Sequence, residues 1–326
     1  MLGSFKRWAL ARFPLRQLKD AVKRRATVRR LTAQIRKEFP DLEFKHARLF
    51  DEGHDHEVLI LDKTWAFRFP RFDDYRENLP YEVRILREIK EKTSANIPDY
   101  TLVAKGDAFG GYRLVDGRPL RPEVFRKLDR PTQEIVAREI AEVLRAIHST
   151  PPELLKRPDG SSRYCGEDPR FSDGRFEERK AALLAATSVD LVDKIERFYA
   201  TPDPAPPRST LIHSDFQEDH ILLAPDGHSI GVIDFSDTAI GDPAWDFGML
   251  WAYGDWVPAY VIKHYGLAED DASFLLRSRR QSARYWIDRL YWRTQGHDVH
   301  KTVAGVAAIV INELRSLESA IHLLGI

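Results

Sequence analysis

The sequence predicts an α+β chain in which a small antiparallel β-rich portion precedes a larger, mainly helical one. Three observations carry this. Between residues 43 and 115, short runs rich in β-branched and aromatic residues alternate with turn residues, and one helical pattern interrupts them. Beyond residue 120, apolar residues recur mostly at helical spacing. The 326 residues, 43% hydrophobic and 31% charged, have ordinary globular composition and length for about two domains. That composition excludes wholesale disorder, collagen and low-complexity arrays. No apolar run approaches the ~20 residues of a membrane span. The single cysteine, Cys165, excludes an internal disulfide framework and a cysteine-rich zinc module. It reads as an incidental loop thiol and points to a reducing, cytoplasmic location.

A net charge of zero hides an asymmetry. Residues 1–38 hold twelve Lys or Arg against Asp20 and Glu38 alone, a net +10, which leaves −10 on the remainder. The first 16 residues carry no acid, and Pro14 interrupts any helix there. No apolar stretch of secretory-signal type follows. From Gln17 to Phe39, Leu18, Val22, Val28, Leu31, Ile35 and Phe39 recur at helical spacing. Residues 1–39 thus read as a basic helical extension, solvated and packed on the body by one edge. A basic interfacial helix on an anionic membrane surface is the alternative, and a mitochondrial-type leader a further one. No nucleic acid partner is expected.

Residues 40–118 come next as the β-rich portion. Strands are expected at 43–50, 56–61 and 65–69, with turns at Gly53 and at Asp62-Lys63. A helix over about 76–92 places Leu79, Val83, Leu86 and Ile89 on one face. Strands near 100–106 and 111–115 complete a five-stranded, largely antiparallel sheet. Residues 119–326 form the helical portion. It has a helix at 131–148, a polar loop at 151–175, a helix at 176–200 and a rigid Pro-rich linker at 201–209. Two short strands, 220–223 and 229–233, flank the turn Pro225-Asp226-Gly227, and helices fill 243–326.

The densest chemical signal lies at 211–248. His213 and Asp215 follow an apolar pair. Five residues after Asp215 comes His220, which leads into Ile221-Leu222-Leu223, and the next strand, Gly231-Val232-Ile233, ends in Asp234. Two carboxylates and an imidazole are thereby delivered to the ends of adjacent short strands, where they can hold a divalent ion and a polarised hydroxyl. Gly241-Asp242-Pro243 then opens a helix with Asp242 as N-cap and Pro243 at its first position.

This segment resembles the catalytic segment of the protein-kinase superfamily, H-R-D, then Asn five residues after the Asp, then D-F-G. Here it stands as His213-Ser214-Asp215, His220 and Asp234-Phe235-Ser236. It is closer to the aminoglycoside phosphotransferase family, whose H-x-D, I-D-F or I-D-W, and G-D-P-x-x-D blocks are matched in order, the last by Gly241-Asp242-Pro243-Ala244-Trp245-Asp246. His at the usual Asn position is similar to the aminoglycoside 2″-phosphotransferases and macrolide phosphotransferases. Gly53-His54-Asp55-His56 looks like the family's phosphate-side loop, with His56 where Asn is frequent. Phe67-Arg68-Phe69-Pro70 resembles the strand of the phosphate-binding lysine, with Arg in its place. Glu82 matches the helix glutamate that pairs with that cation. The hinge between lobes is matched by 111–120, which includes Val115. The likeness covers about 43–255, so residues 1–38 are extra.

The resemblance implies a two-lobed protein-kinase-like fold and a Mg²⁺-dependent enzyme that moves the γ-phosphoryl group of ATP or GTP to a hydroxyl of a small molecule. Asp215 would take the acceptor proton, with His213 in the catalytic loop. Asp234 and His220 would hold the metal, and Gly53, Arg68, Glu82 and Val115 would serve the nucleotide. Asp242 and Asp246 would brace the site. An aminoglycoside is the leading acceptor, and a macrolide or another hydroxylated metabolite the alternative. Asp255, Asp288 and Trp286 are candidate acceptor contacts. Glu269-Asp270-Asp271 is a further acidic candidate, although it also reads as a solvated helix start. The aromatic cluster Tyr285, Trp286, Tyr291 and Trp292 reads as core or as a substrate platform. His148 reads as a helix-end residue. A monomer or homodimer is expected. From a different class, a non-catalytic nucleotide-binding regulator is the competing reading, suggested by the departures at His56, Arg68 and His220.

Overall fold

A computed structural model describes residues 3–50, 56–156, 173–266, 271–297 and 301–324. Gly53, Cys165 and the Glu269-Asp270 pair lie outside the described residues, as does most of the 151–175 loop. The chain divides into two compact units, Met1–Val83 with Pro98–Val115, and Arg84–Ile97 with Asp116–Ile326.

The first unit is built on one antiparallel sheet. Its strands are β1 (Ala47–Phe50), β2 (His56–Leu61), β3 (Trp65–Pro70), β4 (Tyr100–Val103) and β5 (Gly110–Arg113), in the order β1-β2-β3-β5-β4. Asp62 and Lys63, both at positive φ (47° and 57°), close the β2–β3 hairpin. The Asp62 carboxylate accepts from the backbone N–H groups of Lys45 and His46, at 2.9 and 2.7 Å, and anchors the entry to β1. Gly111 pairs with Phe67, and a Cβ there would stand 2.4 Å from the Phe67 ring, so glycine lets the ring lie across the sheet. β1 is shorter than the sequence suggested, and a 3-10 turn at Lys105–Asp107 takes over from β4.

Helix α1 (Gly3–Glu38) runs across Pro14, which removes one N–H from the ladder without ending the helix. Among the side chains described from residue 21 onward, most are exposed, but Leu31 and Ile35 have no exposure at all. They pack with Leu49, Leu59, Phe67, Phe69 and Phe109. Arg24 donates to the Leu49 carbonyl at 3.1 Å, and Glu38 accepts from the Lys105 backbone at 2.7 Å. One edge of the basic helix is therefore part of the sheet's own core. Helix α2 (Asp73–Lys90) follows β3, and the division between the units falls within it.

The second unit holds β6 (Arg118–Pro119), α3 (Pro122–Phe125), α4 (Arg130–His148), α5 (Asp173–Ala186) and α6 (Val189–Ala200). The single helix expected over 176–200 breaks because Ser188 caps a new one, accepting from the Leu191 N–H. Strands β7 (Thr210–Ile212), β8 (Ile221–Leu223), β9 (Ile230–Val232) and β10 (Ala239–Gly241) form two small antiparallel sheets, β10-β7 and β6-β8-β9. A 3-10 stretch, Pro243–Tyr253, leads to α7 (Trp256–Tyr265), α8 (Phe274–Thr294) and α9 (Val303–Leu324). The core of this half joins Leu191, Ile195 and Phe198 of α6 to Ala283, Trp286 and Leu290 of α8 and Val306, Val310 and Leu314 of α9. No described helix is long and apolar enough to cross a membrane.

Because Leu31 is fully buried, Leu31→Ala removes core volume that its surroundings only partly refill, and it should destabilise the protein by about 2–5 kcal/mol. Urea denaturation of wild type and variant measures this. A change within about 0.5 kcal/mol would mean that α1 is not part of the core.

Candidate active site

The loop between β7 and β8 is fixed from its backbone outward. Ser214 sits at φ 65°, a left-handed conformation that costs a non-glycine residue ~1–2 kcal/mol. Its surroundings hold it there. Its N–H donates to Asp246 Oδ1 (2.9 Å), its hydroxyl to the Asp237 carbonyl (2.5 Å), and its carbonyl accepts from Trp245 Nε1 (2.9 Å). The His213 N–H donates to Asp246 Oδ2 at 2.7 Å. Asp246, 1% exposed, also accepts from His148 Nε2 at 3.0 Å, while His148 Nδ1 faces the Tyr265 hydroxyl at 2.9 Å. His148, the last residue of α4, thus ties the loop to α4 and α7, a role its position at a helix end did not suggest.

His213 is fully buried. Its Nδ1 accepts from the Asp215 N–H (3.3 Å) and its Nε2 donates to the Ile233 carbonyl (3.1 Å), which fixes the neutral tautomer. Burial pushes its pKa below the ordinary value. Its two ring hydrogen bonds brace the loop. Its ring packs on Phe235, centroids 4.6 Å apart, and so locates the residue after Asp234.

The strain at Ser214 turns Asp215 outward. His220 lies between the two carboxylates, with Nδ1 3.3 Å from Asp215 Oδ2 and Nε2 3.5 Å from Asp234 Oδ2. Its Nδ1 donates to the Asp215 carbonyl at 2.9 Å, which directs Nε2 towards Asp234. Burial alone would lower the imidazole pKa, but the charges of Asp215 and Asp234 outweigh it and the net shift is upward. Asp234 is at φ 66°, and its Oδ1 accepts from the Ser236 hydroxyl at 2.9 Å. Asp215 and Asp234 are both about one-third exposed, at 36% and 38%.

Asp215 stands in the wall of a cavity of about 400 Å³ whose other walls include Trp245, Met249 and one stripe of α8. That stripe is Gln281, Arg284, Tyr285, Asp288, Arg289 and Trp292, spaced i, i+3, i+4, i+7, i+8, i+11. Gly248 lets α8 approach, since a Cβ there would stand 3.0 Å from the Gln281 Cβ and 3.2 Å from its backbone. Gln217 Nε2 donates to Asp215 Oδ2 (3.2 Å), and Gln217 Oε1 accepts from the Tyr285 hydroxyl (3.4 Å), which accepts in turn from Arg289 Nη1 (2.8 Å). Gln217 was not among the sequence candidates, and Tyr285 entered only in the cluster read as core or as a substrate platform; the helical spacing along α8 is the signal that could have found the stripe.

The remaining sequence candidates fall in different places. Asp288 lines the cavity and is held by Arg179 and by Trp292 Nε1 (3.0 Å). Trp286 does not line it, because it points to the opposite side of α8 into the core and is 6% exposed. Asp255 is 91% exposed at the start of α7 and faces Arg279 rather than the cavity. Asp242 caps the 3-10 stretch and is clamped by Arg277, itself 1% exposed and bound on its other side by Asp271. In the first unit, Arg68 on β3 and Glu82 on α2 form a buried ion pair at 2.8 Å. Arg68 Nη2 faces His56 Nδ1 at 3.2 Å and Glu82 accepts from the Tyr100 hydroxyl at 3.1 Å, so His56 is part of this arrangement. Val115 is buried at the end of that unit.

A five-stranded antiparallel unit with a buried Arg–Glu pair, and a helical unit with an H-x-D segment after β7 and an I-D-F segment after β9, define a protein-kinase-like fold. The chain belongs to the phosphotransferase enzyme family (APH), whose profile matches residues 46–281. It is similar to the uncharacterized protein YcbJ of Bacillus subtilis (strain 168), 24% identical over 238 residues that make up 69% of this chain and 76% of that protein. In fold it is similar to APH(2″)-IIia, solved with GDP and kanamycin, at a TM-score of 0.67 and 20% identity, covering 89% of this chain and 99% of that one. The macrolide 2′-phosphotransferase MphH from Brachybacterium faecium aligns at a TM-score of 0.58 and 18% identity, over 86% and 97% of the two chains.

Two expectations follow. Asp246→Ala strands three buried donors and should destabilise the protein by about 3–5 kcal/mol in chemical denaturation. The folded-state pKa of His213 lies below its unfolded value, so as pH falls past about 6.5 the unfolded chain takes up a proton that the buried ring refuses, and stability drops. Melting temperatures from about pH 7.5 to pH 5 should therefore fall more steeply for wild type than for His213→Gln.

Proposed function

We propose that this phosphotransferase moves the terminal phosphoryl group of ATP or GTP to a hydroxyl of a small molecule. The observation that carries the reading is Asp215, a partly exposed carboxylate oriented by Gln217 in the wall of a 400 Å³ cavity. Phosphoryl transfer demands positioning and charge neutralisation more than covalent chemistry. Asp215 accepts the proton of the acceptor hydroxyl as the new P–O bond forms, and Gln217 keeps its carboxylate turned towards that hydroxyl. In the sheet unit, Arg68 supplies a guanidinium for the nucleotide phosphates, its orientation set by Glu82 and His56. The similar APH(2″)-IIia was solved with GDP, which supports a guanine nucleotide as donor.

A divalent ion fits the second unit at Asp234 and His220. Asp234 Oδ2 and His220 Nε2 face each other, and the Nδ1 hydrogen bond of His220 leaves its other nitrogen to act as ligand. Among the described residues no group of three His, Cys, Asp or Glu forms a metal site by itself. Asp234 supplies the carboxylate oxygen that Mg²⁺ prefers, and the ion would take most of its remaining ligands from water and phosphate, with His220 beside it. When bound, the ion would neutralise phosphate charge.

The acceptor is a hydroxylated small molecule. A kanamycin complex of a similar fold supports an aminoglycoside, and the macrolide enzyme supports a macrolide. The cavity sets three arginines against three carboxylates and adds Trp245, Tyr285 and Trp292, a wall better matched to an acceptor that is not polycationic.

Asp215→Asn keeps the shape of the side chain and loses the proton acceptor, so phosphoryl transfer to any acceptor, water included, should fall ~10²–10⁴-fold while nucleotide affinity stays close to wild type. Turnover measured beside nucleotide binding decides the matter. Near-wild-type turnover removes Asp215 from the mechanism, and absence of turnover in the wild type with Mg²⁺ and either nucleotide favours a non-catalytic regulator.

A further inference from the structure

We infer that the outward face of α1 attaches the chain to an anionic lipid surface, as a peripheral contact that lies on the bilayer and does not cross it. The contact is independent of the chemistry proposed for the cavity.

Between Ala21 and Lys37, α1 has seven Lys or Arg and no acid. Three of the seven are used by the sheet unit. Arg24 donates to the Leu49 carbonyl, Arg30 pairs with Glu57, and Arg36 lies over the Phe44 ring at 5.0 Å. Lys23, Arg25, Arg29 and Lys37 are exposed, and their side chains form no ion pair with any described residue. Four positive charges therefore face water without a counter-charge among the described residues.

Their arrangement is amphipathic. A helix turns about 100° per residue, so Val22, Ala26 and Ala33 lie opposite the edge of Leu31 and Ile35 that enters the core. All three are exposed, Val22 at 58%. Arg25 and Arg29 flank this line on one side, and Lys23 and Lys37 on the other. In the sequence, Leu18, Leu15, Ala11 and Trp8 continue the line towards the N-terminus at steps of three and four residues, interspersed with Arg7, Arg12, Arg16 and Lys19.

A narrow apolar line between two cationic borders suits a helix at a bilayer interface. The apolar side chains enter the acyl boundary, and the Lys and Arg stems reach up to the headgroup phosphates. A nucleic acid would engage the same cations, but a centre of Val and Ala offers no donor or acceptor to bases or sugars. Residues 39–326 carry a net −10, so α1 is the part of the chain that anionic lipid attracts, and it sets the orientation of approach.

The test is sedimentation of the full-length chain with vesicles of phosphatidylcholine, alone or with about one-third phosphatidylglycerol, at low and high salt. Wild type is compared with the quadruple variant Lys23→Gln, Arg25→Gln, Arg29→Gln, Lys37→Gln and with the single variants Val22→Trp and Val22→Asp, melting curves confirming that each is folded. Wild type should bind the anionic vesicles alone, and salt at about 0.5 M should release most of it. A basic residue near such a surface counts for about fivefold in affinity, so the quadruple variant should bind about a hundredfold or more weakly. Val22→Trp should bind more tightly than wild type and Val22→Asp more weakly, and this pair decides the matter should the quadruple variant not fold. Absence of binding, equal binding to neutral vesicles, or unchanged affinity in the quadruple variant or in both Val22 variants overturns the inference. So does release from the vesicles by single-stranded RNA at an equal concentration of phosphate, which would make nucleic acid the preferred partner of this face.

Discussion

The Asp246 carboxylate takes three donors at once, the backbone N–H groups of His213 and Ser214 and the imidazole of His148. A loop that must present one carboxylate outward has to turn sharply, and here the turn is made by a serine in a left-handed conformation. Such a conformation persists only where its surroundings over-determine it. Asp246 supplies that constraint from a nearly solvent-free position, where each bond to a charged acceptor counts for more than it would in water. Through His148 and Tyr265 the same carboxylate ties the loop to two helices, α4 and α7. The position of Asp215, and with it His220 and Asp234, therefore depends on a residue 31 positions away.

A second set of buried charges ties α8 to the 3-10 stretch. Arg277, 1% exposed, lies between Asp242 and Asp271 with hydrogen bonds to both. Carboxylates on two sides raise its pKa further above an already high value despite the cost of burial. Asp242 caps the 3-10 stretch that carries Asp246, so the base of α8 and the anchor of the β7–β8 loop are linked through one ion cluster. Removing one partner of such a cluster leaves an uncompensated buried charge, which is why these positions resist change more than an exposed ion pair would.

Much of this was legible in the sequence because it is local. The five-stranded sheet, its hairpin turn at Asp62-Lys63 and the long α4 follow from alternation, turn residues and helical periodicity. His213, Asp215, His220 and Asp234 were legible from the order and spacing of the H-x-D and I-D-F segments, and the β8–β9 hairpin that delivers His220 and Asp234 from its turn residues. What could not be read was decided by tertiary contact. Strands β7 and β10 are three residues each, too short for a periodic signal, and exist because they pair with each other. His148 and Asp246 are nearly a hundred residues apart in sequence and meet only in the fold. Trp286 and Tyr285 are neighbours in the chain, yet consecutive residues on a helix point about 100° apart. One is core and the other is cavity wall, a distinction that requires knowing which face of α8 looks where.

Helix α8 performs two tasks on two faces. Leu276, Ala283, Trp286 and Leu290 secure it to α6 and α9, whereas the stripe from Gln281 to Trp292 lines the cavity beside Asp215. Because the two sets of positions do not overlap, the cavity-facing set is free to diverge among descendants while the packing set stays put. Gly248 adds a control of another kind. Any larger residue there would wedge the helix outward and enlarge or skew the chamber as a whole. Such a lineage could thus explore new chemical clients by exchanging a handful of side chains on one rod, or by a single steric shim beneath it, with the phosphoryl-transfer loop inherited unchanged.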